Sequence, residues 1–274
     1  MRAPYEVGNP PGRDALLEAL ALTPPRLDLA ALAIARLGDA SLDINASLTK
    51  LDRLAERVAA RIDELGAVDA LVSVLGVDEG FEGDRVIYDL PENSFLNQVL
   101  ERRRGLPIVL SVVYLEVGRR AGLSAHGVAL PGHFVVMLDE VVIDPFDGGA
   151  RLTLTDCERI VRKASSLDIA QLTAAMLEPT APRAIVLRML NNLKSAWLQR
   201  SETEAALCAV DMVLALLPNQ PSDLRLRAGL LMELGAFRAA LNDIETCLRE
   251  PTPPDLRSLE KTAQNLRDRI GQLH

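Results

Sequence analysis

Two polar residues on neighbouring valine-rich segments carry the chain's main chemical potential. His133 opens the segment His133–Leu138, and Asp144 ends the next in Ile143-Asp144-Pro145-Phe146. If these segments pair as a hairpin, the side chains meet, and a carboxylate hydrogen-bonded to an imidazole fixes its tautomer and steadies its protonated form. A nucleophile at a nearby helix N-terminus would complete a hydrolytic set, because the helix dipole there favours an anion. The plainer reading is a satisfied buried pair that staples the hairpin. The cysteines Cys157, Cys208 and Cys247 are odd in number, far apart and without CxxC spacing. They read as buried, reduced thiols of a cytoplasmic protein. His126 is a lone histidine and reads as packing. No three-residue cluster has metal-ligand spacing and no glycine-rich phosphate loop is present, so neither metal nor cofactor is expected.

The elements that must position these residues follow from periodicity. Residues 1–12 hold three prolines and read as an irregular arm. Apolar spacing from Asp14 to Leu37, broken at Pro24-Pro25, predicts two helices. The stripe Ile44, Leu48, Leu51, Leu54 and Val58 predicts a third, capped near Ser41-Leu42-Asp43 and running to Ile62. A short helix is expected over Val68–Leu75, with Gly76, Gly80 and Gly83 marking a loop. Asn93 starts a helix that ends near Arg104-Gly105, and Pro107 opens the next, because proline suits a first helical turn. That helix, to Arg120, is apolar on nearly every face and should be buried at the centre. Arginines in its last turn and Gly122 beyond it form its stop. His126–Leu130, His133–Leu138 and Val141–Ile143 then read as an antiparallel meander closed by Asp147-Gly148-Gly149. From about Pro182 the chain is helical and repeats. Ala205-Ala206-Leu207 recurs as Ala239-Ala240-Leu241 and Leu214 as Leu248, both at an offset of 34 residues, with Pro218 and Pro251 ending the units. That period is the tetratricopeptide one. Two units and a capping segment, Leu256 to Ile270, would be marginal alone and are expected to lean on what precedes them.

Several of these motifs carry a family resemblance. Asn93-Ser-Phe-Leu-Asn-Gln-Val-Leu-Glu-Arg-Arg-Arg-Gly-Leu-Pro, Tyr114-Leu-Glu-Val, Gly122-Leu, Pro131-Gly-His-Phe and Ile143-Asp-Pro-Phe-Asp-Gly-Gly resemble the bacterial SirB-type proteins. These pair a transglutaminase-like domain of papain-like fold with C-terminal tetratricopeptide repeats. The motif block spans residues 88–149, and weaker similarity covers most of the chain. The resemblance implies an α+β, mostly helical fold, with a transglutaminase-like domain and small antiparallel sheet at 1–180 and an all-α tail at 181–274. It also implies a site. Active members of the superfamily carry Gly-x-Cys at the start of the central helix. Counted back from Gly122, that cysteine position falls on Pro107, in Gly105-Leu106-Pro107. The pattern is that of a pseudoenzyme that keeps His133 and Asp144. Ser111, one helical turn beyond Pro107 on the same side, is a substitute nucleophile; otherwise it is a small packed hydroxyl bonded to the preceding turn.

Composition narrows the function classes. A net charge of -8 argues against nucleic acid and against an anionic membrane surface. No apolar run is long enough to span a bilayer, and the first residues lack the apolar core of a signal peptide. The run Arg102-Arg103-Arg104 reads as a solvated face or ion-pair site, with Arg104 kept as a binding candidate beside Asn97 and His133. Asn93 reads as a helix cap and Asn97 as a loop tie. The expectation is a cytoplasmic scaffold or regulator, binding a protein or peptide through its cleft and repeats. The alternative is a cryptic hydrolase or acyltransferase using Ser111, His133 and Asp144.

Overall fold

The structure, a computed structural model, describes residues 7–164, 172–249 and 255–272. Helices α1 (Arg13–Ala21) and α2 (Leu27–Ala35) form a hairpin across Pro24-Pro25. Every residue of α2 from Ala30 to Ala35 is buried, as a helix apolar all round requires. Asp43 caps α3 (Ile44–Ala59), its carboxylate accepting from the amides of Asn45 at 2.9 Å and Ala46 at 3.3 Å. The short helices α4 (Ile62–Leu65) and α5 (Ala67–Val72) follow, and α5 runs on as a π-helical turn over Ser73–Asp78.

That turn corrects the expectation that Gly76 begins a loop. Gly76 lies inside it because another backbone needs the space. A Cβ there would sit 1.9 Å from the carbonyl oxygen of Gly148.

The helix expected from Asn93 to Arg104 is also divided. A 3-10 turn, Pro91–Ser94, precedes α6 (Leu96–Arg102). Arg103 turns left-handed at φ 59° and ends the helix. The strand β1 (Glu82–Gly83) then pairs in parallel with β2 (Arg104–Gly105). The central helix α7 (Pro107–Arg120) is buried from Pro107 to Gly118.

The main sheet has the order β3-β4-β5-β6, all antiparallel. Its strands are β3 (His126–Leu130), β4 (His133–Leu138), β5 (Val141–Asp144) and β6 (Ala150–Leu152). The fourth strand and the helix after it, α8 (Leu154–Ala164), lie beyond the expected meander. Phe134, Val136, Leu138 and Ile143 join the large core that includes α7. Val128, Leu130, Val135 and Val142 form a smaller core with Cys157 and Val161 of α8. Both faces of the sheet are therefore covered, which explains its near-continuous valine runs.

The tail comprises α9 (Pro182–Gln199), α10 (Thr203–Leu216), α11 (Pro221–Glu233), α12 (Phe237–Leu248) and α13 (Leu256–Gln272). The repeated Ala-Ala-Leu occupies equivalent places in α10 and α12, and α13 packs on α12. Pro251 lies outside the described residues. Arg227 of α11 joins the neighbouring helices. It donates to Asp211 of α10 at 2.6 Å and, through two nitrogens, to Asp243 of α12 at 2.7 and 2.6 Å. Burial opposes charge on Arg227, but the two carboxylates hold it charged and push its pKa up. The tail leans on the rest as expected. One continuous apolar cluster runs from Leu16 to Leu266. Trp197 of α9 meets Phe95 with ring centroids 6.1 Å apart. No helix among the described residues is long and apolar enough to cross a membrane.

Candidate functional site

Register brings the two chemical residues together. β4 and β5 pair Val136 with Ile143, which leaves His133 and Asp144 at the same end of the ribbon. His133 Nε2 lies 2.9 Å from Asp144 Oδ2. The other carboxylate oxygen accepts from the Phe146 amide at 3.0 Å and caps the 3-10 turn Pro145–Asp147. Both residues are largely buried, with side-chain exposures of 14% and 9%. Phe146 stands edge-on to the imidazole, centroids 5.9 Å apart. Arg188 of α9 holds the strand itself, donating to the carbonyls of His133 at 2.8 Å and Leu130 at 3.2 Å. An acid–imidazole couple so fixed can accept or deliver a proton, or hold a polar ligand group.

No activated nucleophile accompanies it among the described residues. Pro107 occupies the first turn of α7, where the dipole would favour a thiolate, and has no reactive atom. Ser111 is fully buried, and its hydroxyl donates to the Phe134 carbonyl at 3.4 Å rather than to the preceding turn or to His133. Cys157 is fully buried under the sheet. Burial and the negative charge of Asp144 push its thiol pKa up, the reverse of activation. Tyr114 of α7 carries another hydroxyl near the couple. It is buried without a hydrogen-bond partner between Gly76 and Gly149, and burial, helped by Asp144, pushes its phenol up.

Beside the couple stands a ledge that the sequence reading missed. Val86, Ile87 and Tyr88 are consecutive and exposed, at 92%, 46% and 50%. Single exposed apolar residues are ordinary, whereas a run of three asks for a reason. This run is rigidly held from beneath. The carboxylate of Asp84 accepts from the amides of Val86 at 3.1 Å and Ile87 at 3.0 Å. Its other oxygen accepts from Asn93 and Arg102, each at 3.2 Å. The Asn93 amide donates to the Ile87 carbonyl at 2.8 Å, and Arg102 donates to Asn93 Oδ1 at 2.9 Å. Asn93 is thus a fully buried hub instead of the helix cap expected of it. Tyr88 touches Phe146 edge-on at 6.0 Å, and Arg85 lies 5.2 Å over the same ring, so ledge and couple are continuous. The signal available in the sequence was an unbroken Val-Ile-Tyr ahead of Asp89 with no helical or strand partner pattern.

The other binding candidates lie elsewhere. Arg104 pairs with Glu82 at 2.5 Å and donates to the Gly80 carbonyl at 3.0 Å, pinning β1 to β2. Arg103 pairs with Glu79 at 2.7 Å. Asn97 lines a separate cavity of about 240 Å³ between α2, α6 and α9, its Oδ1 buried without a partner. The structure therefore joins His133 to Asp144 but brings neither Asn97 nor Arg104 to them. No group of three His, Cys, Asp or Glu residues among those described is placed to hold a metal ion.

Comparison with known proteins matches two family models. Residues 45–191 match the transglutaminase-like superfamily and residues 193–264 the tetratricopeptide repeat. The two stretches meet inside α9. A UPF0162 protein of Xylella fastidiosa is 36% identical over 232 residues, covering 80% of this chain and 82% of that protein. One from Pseudomonas aeruginosa is 31% identical over 267 residues, covering 95% and 96%. F-box only protein 21 of Homo sapiens is 30% identical over 185 residues, 62% of this chain but 28% of that protein. No solved structure matches.

Proposed function

This chain belongs to the transglutaminase-like superfamily, and we propose that it is a non-catalytic member, a pseudoenzyme whose cleft and helical tail hold a protein or peptide partner without cleaving it. The observation that carries this reading is Pro107, on the first turn of the buried central helix, where the superfamily's thiolate would stand. The ledge adds support on the binding side. A network of the buried Asp84 and Asn93 with the half-buried Arg102, which presents three apolar residues to solvent beside His133, suits an extended peptide laid over Tyr88 and Phe146. The tetratricopeptide match supports protein partners for the tail as well. The odd, widely spaced cysteines, with Cys157 held as a neutral thiol, support a reducing compartment, the cytoplasm.

A displayed random-peptide library panned on the intact protein tests the reading. It should return a consensus whose binding falls at least tenfold in Tyr88→Ala and persists in Ser111→Ala. Turnover of simple esters or peptide amides that disappears in His133→Ala would overturn it.

The 2.9 Å contact of His133 with Asp144 keeps a second reading, a hydrolase or acyltransferase with Ser111 as nucleophile. It requires the Ser111 hydroxyl to leave the Phe134 carbonyl and turn to the imidazole. A fluorophosphonate probe should label Ser111, in a His133-dependent way, only if that reading holds.

A further inference from the structure

One half-buried cation beside the His133 cleft has no counter-ion. Arg188 of α9 gives its two terminal nitrogens to the strand, donating to the carbonyls of Leu130 at 3.2 Å and His133 at 2.8 Å. Its guanidinium lies 5.5 Å over the Phe134 ring. No carboxylate among the described residues pairs with it. Arg102, Arg103, Arg120 and Arg227, half-buried like Arg188, each meet a carboxylate. A charge drawn out of water without a partner is costly, and a guanidinium is satisfied best by a planar carboxylate.

The cost shows in its acidity. Burial pushes the Arg188 pKa down, and the group that opposes the shift is the Tyr88 phenol, not an acid. The influence is mutual: burial pushes the Tyr88 phenol up, and the Arg188 charge pulls it back. The guanidinium therefore stands within electrostatic reach of the ledge. The acids of this face are engaged elsewhere or exposed. Asp144 holds His133, Asp147 accepts from Arg85 at 2.8 Å, Asp84 holds Arg102, and Asp89 is exposed to solvent.

The cation is also within reach of a ligand. Among the described residues, the guanidinium nitrogens that are sealed and unpartnered belong to Arg36 and Arg225. Arg188 is only half-buried and keeps N–H groups beyond the two given to the strand. It is more recessed than the ledge, where Val86 and Tyr88 are 92% and 50% exposed. A main chain resting on that ledge reaches the guanidinium by a side chain rather than by its own terminus.

We propose that Arg188 is the acid-binding point of this cleft, taking the side-chain carboxylate of an Asp or Glu in the peptide laid along Val86–Tyr88. The assignment rests on the peptide reading of the same cleft and adds its chemical specificity.

Three fluorescent peptide pools test it on the immobilised intact protein. The first is acetyl-X-X-X-X-Glu-X-X-X-X-amide, with X any residue but Asp or Glu. The second has Gln at the centre, and the third is the Gln pool with a free C-terminal carboxylate. The Glu pool should be retained roughly tenfold more than the Gln pool, as a charge-assisted bond implies. Arg188→Gln should remove that preference, and Tyr88→Ala should weaken retention of every pool. Arg188 also holds the His133 strand, so a measurement on the wild type stands beside the variant. The Glu pool should protect Arg188 from phenylglyoxal, read by mass spectrometry, and the Gln pool should not. Equal retention of the Glu and Gln pools, each lost in Tyr88→Ala, would overturn the assignment while leaving the peptide reading intact. Retention of no pool would overturn both. A preference that survives in folded Arg188→Gln, or an Arg188 left unprotected, would place the acid elsewhere. Retention of the free-carboxylate pool at or above the Glu pool would give Arg188 to a chain terminus and overturn the side-chain assignment.

Discussion

The Asp144 carboxylate divides its oxygens between the His133 imidazole and the Phe146 amide, so its removal leaves two partners without an acceptor in a largely buried place. Asp144→Ala should lower the free energy of unfolding by about 1–3 kcal/mol. Asp144→Asn, which keeps an acceptor oxygen for Phe146, should lose less. Urea denaturation of the three proteins checks the order, and an unchanged midpoint in the alanine variant would deny the couple any structural role. Pro107 permits a converse experiment. If it occupies the thiolate position, Pro107→Cys places sulfur at the N-terminus of α7. Its alkylation by iodoacetamide should then titrate well below the ~8.5 of an ordinary thiol. A normal profile would show that the position is not the one where a thiolate is stabilised. Of the site, His133 and Asp144 were legible because strand alternation and a two-residue turn fix which ends meet. Asp84 and Arg102 were not, because a buried hub is made by residues from three segments whose spacing carries no period.

The ledge is an element whose conformation depends on one ionised side chain. Hydrogen bonds from the Ile87 amide first, then from Asn93 and Val86, with the positive charge of Arg102, outweigh burial and hold the Asp84 carboxyl below its ordinary value of 3.8. A depressed pKa in the folded state means that the ionised form is the one the fold binds. The stabilisation is therefore present above 3.8 and is lost as pH falls through the lower folded value. Amide exchange at Val86 and Ile87, corrected for intrinsic rates, should be slow at neutral pH and accelerate under strong acid before the helices melt. Asp84→Asn should show fast exchange there already at neutral pH. Equal protection in both proteins would mean that Asp84 does not hold the ledge. The same scale shows what periodicity can and cannot reveal. α3 and α7 were legible because their apolar spacing is helical throughout. β6 is three residues long and carries no pattern. α8 was not expected either, although a capping box opens it: the Asp156 amide donates to the Thr153 hydroxyl at 3.2 Å, and the Thr153 amide to the Asp156 carboxylate at 2.9 Å. The π-helical turn at Gly76 was invisible because its cause, the Gly148 backbone, is distant in sequence. Gly76→Ala should accordingly destabilise the protein by about 1–3 kcal/mol or more, since backbone rather than a flexible side chain must yield. A melting temperature equal to wild type would contradict that packing.

At the scale of the whole molecule, the repeat predicts a tail that cannot stand alone, and the core shows what it stands on. α9 belongs to both halves: it clamps the His133 strand through Arg188 and sets Trp197 against Phe95. We take the halves 1–180 and 181–274 as two domains by descent that fold as one. Arg227 adds a reason within the tail, because breaking its bond to either Asp211 or Asp243 strands a buried charge. Trp197 is the chain's one tryptophan, and it sits at the junction. Its fluorescence therefore reports the junction, while far-ultraviolet circular dichroism reports the helices of both halves. In urea the two signals should trace one coincident transition, as a single cooperative unit requires. Arg227→Met should move both curves together to lower urea. A fluorescence transition that precedes the loss of helicity, in the wild type or in that variant, would show the tail separating before the transglutaminase-like half unfolds, and would return the two to independence.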